Sequence, residues 1–153
     1  MKNNNIIIIV LCAVALIGLC FAPWSTMPKI GGISLLNMLQ MTIDSFDIES
    51  IESMQGFLVA LFFIFPLLII LGSLTNKKIV DGYKGSRLIA IIGLLGVIVY
   101  MIIMHVQSEG LIKTAWGAWV SFAIYILIIG ASQIFINQER DKEIKSSVGG
   151  ENE

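Results

Sequence analysis

The chain has 153 residues and a formal net charge of −1, and 56% of its residues are hydrophobic whereas 14% are charged. A soluble domain carries about 25% charged residues, so this composition argues against a soluble protein, and the balanced charge argues against nucleic acid as a partner. Both cysteines, Cys12 and Cys20, lie in the first apolar run at a spacing too long for a disulfide within one helix.

The first apolar run covers residues 6–22, contains no charged residue and is followed directly by Pro23. Its length fits the ~17–25 residues that cross a bilayer as a helix, and proline ends helices. A cleaved signal peptide is the alternative, but such cores have only ~7–15 residues, and Pro23 would follow the cut. We therefore predict an uncleaved first membrane helix, with Trp24 at the lipid–water interface.

Residues 23–56 form the longest polar segment, and acidic side chains predominate among its charges. Its charged residues are Lys29, Asp44, Asp47, Glu49 and Glu52. Apolar residues recur there at both helical and strand spacings, so periodicity leaves the secondary structure open. The segment is too apolar for a flexible linker, and we expect it to fold against the helix ends as a large outer loop.

Three further apolar runs predict three more membrane helices, and they cover residues 57–74, 88–106 and 115–136. Pro66 lies in the middle of the first of these and removes one backbone donor, which predicts a kink. Residues 137–153 are polar and of mixed charge, and we expect a disordered cytoplasmic tail. The predicted fold is an all-α membrane protein, a bundle of four transmembrane helices with a large extracytoplasmic loop between the first two.

A short basic loop, residues 75–87, joins the second and third runs and sets the topology. Its basic residues are Lys77, Lys78, Lys84 and Arg87. Short basic loops stay on the cytoplasmic side, so these four residues act as topology anchors. With both termini on that side, every basic residue except Lys29 and Lys113 is cytoplasmic. This pattern predicts a multi-pass protein of a bacterial cytoplasmic membrane. Within the loop we expect Ser86 to cap the next helix.

Small residues recur along the last two predicted helices and indicate close helix packing. They are Ala90, Gly93 and Gly96 in one helix, and Gly117 and Ser121 in the next. Small side chains let helices approach closely in lipid, where no hydrophobic effect drives association. The neighbour is either another helix of this chain or a second copy in a homo-oligomer.

The predicted spans carry no Asp, Glu, Lys, Arg or His in their interiors, which argues against a proton-coupled transporter. No catalytic set can be assembled around the single histidine, His105, so we expect a protein that is not an enzyme and needs no cofactor. One speculative metal site consists of Met101, Met104 and His105, because thioethers and imidazole suit monovalent copper. The alternative is that these methionines fill apolar gaps.

The chain resembles small bacterial four-helix membrane proteins in two short stretches. They are Phe21-Ala-Pro-Trp24 at the end of the first predicted helix and Gly117-Ala-Trp119 at the start of the fourth. The topology is similar to that of claudin-like tetraspan proteins, although the Gly-Leu-Trp and paired loop cysteines of claudins are absent. The resemblance implies a membrane location and a four-helix bundle, and it transfers no functional residue.

These observations favour a non-enzymatic accessory protein that acts through its acidic extracytoplasmic loop. Its expected partners are the lipid bilayer and a protein, with no nucleic acid. The alternative is an oligomeric pore or small transporter, in which the helix with Pro66 and the Ala90–Gly93–Gly96 face would form the path.

Overall fold

The structure, a computed structural model, describes residues 2–27, 31–44, 51–75, 79–107 and 113–149. In chain order the elements are α1 (Lys2–Phe21), β1 (Pro23–Met27), β2 (Gly31–Ser34), α2 (Leu35–Asp44), α3 (Ile51–Thr75), α4 (Ile79–Gln107), β3 (Lys113–Thr114) and α5 (Trp116–Gly149). The strands form one antiparallel sheet in the order β2-β1-β3. The chain is mostly helical, as predicted, but the three-stranded sheet shows that it is not all-α.

The four long helices pack in a ring, since α1 contacts α3 and α5, and α4 contacts the same two helices. At one end, Asn5 at the start of α1 donates to the Ser73 carbonyl oxygen near the end of α3. The Ser73 hydroxyl lies 3.3 Å from that of Ser86, near the start of α4. We call this the basic end, because Arg87 also lies there. The opposite end carries the sheet and α2, and we call it the sheet end.

The outward faces of the long helices are apolar over most of their length. The exposed aliphatic residues include Ile6, Val10, Val14 and Ile17 of α1, Leu67, Leu71 and Leu74 of α3, Leu88, Ile92, Leu95 and Ile102 of α4, and Leu127 and Ile134 of α5. The interior of the ring is also mainly apolar, with a few buried serines among its residues, such as Ser73, Ser86, Ser121 and Ser132. The apolar outward faces differ from those of a soluble helical protein, whose outward surface is polar.

In the described part of the chain, two helical segments are long and apolar enough to cross a membrane, Val80–Val106 with 27 residues and Trp116–Ser146 with 31. Two shorter apolar segments, Asn5–Phe21 and Ala60–Thr75, belong to α1 and α3. Each of the four apolar runs thus lies largely in a helix, and two of the four predicted membrane helices meet the length that a span needs.

The segment 23–56, whose structure the periodicity left open, contains both kinds of element. Its first part forms β1 and β2, its middle forms α2, and α3 already begins at Ile51. The expected acidic residues Asp47 and Glu49 lie outside the described residues. Residues 35–44 are therefore helical, and the residues just before them form a strand.

Most of the predicted inner loop, residues 75–87, is helical in the structure. Because α3 ends at Thr75 and α4 begins at Ile79, Lys84 and Arg87 lie within a helix. Ser86 is correspondingly not a helix cap: it is buried inside α4, where its hydroxyl pairs with that of Ser73. A buried hydroxyl needs a partner, and the small side chain lets the two helices meet closely.

The polar tail also differs from the expectation of disorder, because α5 continues to Gly149. Side-chain pairs along this extension stabilise the helix: Gln133 Nε2 donates to Asn137 Oδ1 at 3.0 Å, and Lys142 Nζ lies 2.7 Å from Glu139 Oε1. Pairs at these spacings support helices by about 0.2–0.5 kcal/mol each.

Pro66, which was predicted to kink its helix, does not interrupt α3, and its ring is fully buried.

Candidate functional site

The sheet at the sheet end joins two segments that are far apart in the chain. On one side of β1, Ser25, Thr26 and Met27 pair with residues of β2, and on the other side Ser25 and Thr26 pair with Thr114 and Lys113. The Thr26 hydroxyl also donates to the Lys113 carbonyl oxygen at 3.4 Å. The segment after α1 and the segment before α5 therefore form one folded unit.

Two glycines allow this unit to pack closely around Pro23. A Cβ on Gly32 would lie 2.7 Å from the Pro23 Cβ, and one on Gly117 would lie 2.6 Å from the Pro23 carbonyl oxygen. Gly31 has a φ of 83°, a conformation that side chains disfavour, at the start of β2. The close approach of α5 to β1 thus depends on Gly117, one of the residues predicted to pack helices.

Under the sheet lies an aromatic cluster formed by Trp24, Phe62 and Tyr100. The centroid of the Trp24 ring is 5.1 Å from that of Phe62 and 5.3 Å from that of Tyr100. The Tyr100 hydroxyl reaches α2, where it donates to the Met38 sulfur at 3.8 Å. Trp24 is 0% exposed, so its ring packs entirely against protein, whereas its predicted place at the lipid–water interface stays a prediction. The cluster ties the sheet to α2, α3 and α4.

Two polar atoms beside this cluster lack a well-formed hydrogen bond. Trp24 Nε1 and Ser25 Oγ are both buried, and neither has a hydrogen-bond partner among the described residues. A buried polar group without a partner costs about 1–3 kcal/mol.

On α5, the hydroxyls of Ser121, Tyr125 and Ser132 are likewise buried without a partner among the described residues. These three lie on one inward face of the helix, since their spacing brings them to similar angles.

A cleft of about 330 Å³ opens at the sheet end between the end of α1 and the start of α2. Its lining residues are Cys20, Phe21, Pro23, Gly32, Ser34, Leu36 and Asn37. Ser34 begins α2 as its N-cap, because its hydroxyl accepts a hydrogen bond from the Asn37 backbone nitrogen at 3.3 Å. The walls of the cleft thus include the first turn of α2 and residues of the sheet.

At the basic end, a polar network joins α4 to α5. Arg87 donates to the Gln133 carboxamide oxygen, and Gln133 donates in turn to Asn137. Of the predicted topology anchors, Lys84 is exposed, Arg87 is half-buried in this network, and Lys77 and Lys78 lie outside the described residues. The hydrogen bond from Arg87 to Gln133 helps to fix the relative position of α4 and α5, and the guanidinium group also contributes positive charge to this end.

The predicted helix-packing residues all face neighbouring elements of the same chain. Ala90, Gly93, Gly117 and Ser121 are buried, and Gly96 is half-buried. A Cβ on Gly93 would lie 2.6 Å from Tyr125 Cε1, and one on Gly96 would lie 3.3 Å from Phe62 Cε1. The close packing of α4 against α5 and α3 is therefore intramolecular at these positions.

The residues of the speculative metal site do not share one environment. Met101 and Met104 pack against the core, whereas His105 is exposed. The thioether of Met38, which also lies at the sheet end, accepts a hydrogen bond from the Tyr100 hydroxyl. Within the described part of the chain, no three His, Cys, Asp or Glu side chains come together in a metal-binding group. The copper hypothesis gains no support from this arrangement and stays a prediction.

Sequence reasoning missed the central place of Trp24 and Tyr125. A single tryptophan after an apolar run is typical of an interface, so its pattern could not distinguish burial by protein from contact with lipid. Tyr125 carried a usable indication, because it follows Ser121 by one helical turn on the same face. In comparisons with protein families, with curated proteins and with solved structures, no match to this chain was found.

Proposed function

We propose that this chain is an integral protein of a bacterial cytoplasmic membrane and that α1, α3, α4 and α5 form a four-helix transmembrane bundle. The proposal rests on the apolar outward faces of all four helices. With a rise of 1.5 Å per residue, the apolar segments Val80–Val106 and Trp116–Ser146 exceed a hydrocarbon core of about 30 Å. The apolar segments Asn5–Phe21 and Ala60–Thr75 are about 26 and 24 Å long, which is at the short end for a span. Exposure of such a large apolar surface to water is unfavourable, whereas contact with the acyl chains of lipids is favourable.

The proposed orientation places both chain termini and the basic end in the cytoplasm. Described basic residues beyond the apolar stretches at that end are Lys84, Arg87, Arg140, Lys142 and Lys145, and at the sheet end Lys113. Short segments rich in Lys and Arg remain cytoplasmic during insertion. Phe21, Trp116 and Trp119 are exposed at the sheet end, where aromatic rings match the outer interface of the bilayer.

Within this membrane setting, we assign the chain the role of a non-enzymatic accessory protein that binds a protein partner through its sheet end. The observation that carries this proposal is the sheet itself, which holds the outer segments together and is anchored by the buried Trp24. The sheet is ordered before binding, so this part of the surface loses little conformational entropy when a partner binds. The acidic residues Asp44, Asp47, Glu49 and Glu52 supply the chemistry and favour a partner with a basic surface.

The test is capture of the partner from gently solubilised membranes by the tagged full-length chain. The test variant carries Asp44→Asn, Asp47→Asn, Glu49→Gln and Glu52→Gln, and the control carries Asp141→Asn and Glu143→Gln in the extension of α5. A basic partner is expected to copurify with the wild type and the control, and to be lost from the test variant. Equal recovery with all three proteins would contradict the assignment.

An oligomeric pore or small transporter is the second candidate function. The row of buried hydroxyls on α5, at Ser121, Tyr125 and Ser132, is the observation that favours it, since hydroxyl groups can line a polar path. The ring interior is filled by residues such as Val97 and Ile128, which are 0% exposed, and this counts against a path through one chain. Flux of ions or small solutes into liposomes with the purified protein separates the two functions.

The resemblance to claudin-like tetraspan proteins stays a prediction and contributes topology alone. A homo-oligomer also stays a prediction. Native mass spectrometry of the gently solubilised protein measures the number of copies and any bound partner together.

A further inference from the structure

We propose that the cleft between the end of α1 and the start of α2 binds one lipid molecule of the outer leaflet, through its acyl chain and its neutral ester or hydroxyl groups. This inference rests on the proposed insertion of the chain in a membrane. It does not depend on the proposed protein partner, which would use the acidic residues rather than the cleft.

The lining of the cleft matches the boundary between the acyl chains and the polar part of a lipid. Phe21, Pro23 and Leu36 provide apolar walls, and Asn37 provides a carboxamide at the rim, where it is exposed. The carboxamide can donate to an ester carbonyl oxygen and accept from a hydroxyl. None of the described residues that line the cleft is charged, so the proposal does not include recognition of a charged headgroup. A volume of about 330 Å³ suits a segment of one lipid rather than a large solute.

The cleft is continuous with the surface that faces the acyl chains in the proposed orientation. Phe21 is 78% exposed and lies at the end of the outward stripe of α1, which also contains Val10, Val14 and Ile17. An acyl chain lying along this stripe reaches the cleft at the level of Phe21. The surface of the membrane thus leads directly to the opening, and this continuity is what identifies a lipid as the occupant.

Beyond the cleft, α2 carries further exposed apolar side chains. Met41 and Ile43 are 56% and 63% exposed, although neither residue lines the cleft. In a helix that lies on the outer leaflet, such side chains contact the boundary of the acyl chains.

Native mass spectrometry of the full-length protein, purified from vesicles of phosphatidylethanolamine and phosphatidylglycerol, tests the proposal. Three proteins are compared: the wild type, Leu36→Trp, which fills the cleft, and Ile92→Trp, which places the same side chain on the exposed face of α4. We expect one lipid mass per chain to persist on the wild type and on Ile92→Trp after the remaining lipid and detergent are stripped, and to be lost from Leu36→Trp. Persistence on all three proteins, loss from both variants, or its absence from the wild type would overturn the inference.

A chemical version of the test needs no substitution. Cys20 lines the cleft and is half-buried, whereas Cys12 is 0% exposed, so N-ethylmaleimide is expected to add to Cys20 alone. The modified wild-type protein is expected to lose the retained lipid, and retention after complete modification would contradict the proposal. Separate membrane fractionation of the wild type distinguishes failure of this inference from failure of membrane insertion: a chain that fractionates with membranes yet retains no lipid contradicts only the cleft.

Discussion

The backbone nitrogen of Ala115 donates a hydrogen bond to the carbonyl oxygen of Trp24 at 2.8 Å. This bond, together with the pairing of Ser25 and Thr26 with β3, fastens the start of α5 to the segment that follows α1. The ends of two helices remote in sequence are therefore fixed at one level. The contact also requires both segments to lie on the same side of any membrane that the helices cross.

Cysteines introduced at Thr26 and Lys113 are expected to form a disulfide. The two residues are partners in the antiparallel pairing of β1 and β3, where Cα atoms lie within the 4.4–6.8 Å that a disulfide needs. The protein, in a Cys20→Ser background, is oxidised and then cleaved between the two cysteines. Non-reducing electrophoresis then shows whether a disulfide still holds the two fragments together. The pair Thr26→Cys and Lys84→Cys, at opposite ends of the molecule, is the control and should not cross-link. A failure of the first pair would refute the sheet.

Replacement of Trp24 by alanine is expected to lower the free energy of unfolding by about 3–5 kcal/mol, since it empties a fully packed site between Phe62 and Tyr100. Trp24→Phe should cost less, because the indole N–H that it removes has no partner to lose. Thermal unfolding in detergent provides the measurement. Trp119→Ala is the matched control, since that ring is 59% exposed, and it should leave the unfolding temperature nearly unchanged.

Gly93→Ala is expected to destabilise the protein by about 1–3 kcal/mol, the usual cost of overpacking. The added methyl group would lie 2.6 Å from Tyr125 Cε1, a distance at which one helix must move. Gly130→Ala provides a control on α5, because no atom lies within 4 Å of a Cβ at that position. Tyr125→Leu in the Gly93→Ala background should restore part of the loss by making room. Equal unfolding temperatures for the two alanine variants would show that α4 and α5 pack differently.

The proposed orientation predicts opposite reactivity for cysteines at Lys113 and Lys84, both of which are exposed. In a Cys20→Ser background, a membrane-impermeant maleimide added outside the cytoplasmic membrane should label Lys113→Cys and leave Lys84→Cys unlabelled until the membrane is permeabilised. The reason is the excess of basic residues at the end that contains Lys84. Labelling of Lys84→Cys in intact membranes, with protection of Lys113→Cys, would reverse the orientation.

Ser86→Ala is expected to lower the free energy of unfolding by about 1 kcal/mol, because it leaves the buried Ser73 hydroxyl without its partner. Ser73→Ala should have a similar effect, and the double variant should cost less than the sum of the two. A double-mutant cycle from thermal or chemical unfolding measures this coupling. Strict additivity would mean that the two hydroxyls do not interact.

The helical segments could be predicted from sequence because each apolar run is long and uninterrupted, and such runs form helices whatever their neighbours. The helix boundaries were less accessible. Most of the predicted loop at residues 75–87 belongs to α4, because this helix begins at Ile79 and includes the polar residues Lys84 and Arg87. The tail showed the same limit, because pairs such as Glu139 with Lys142 stabilise a helix that has no apolar face. Local polarity therefore marks where the apolar surface ends and not where the helix ends.

The sequence by itself determined the apolar runs, the clustering of basic residues and the small residues that permit close contact, because these are properties of composition and spacing. Only the tertiary structure decided which distant groups meet: Trp24 with Phe62 and Tyr100, Gly93 with Tyr125, and β1 with β3. Strand pairing depends on backbone groups, which are the same in every residue, so a two-residue strand such as β3 leaves no pattern in the sequence. The candidate cleft has the same origin, since its walls come from α1, the sheet and α2, and exist only once these elements have packed together.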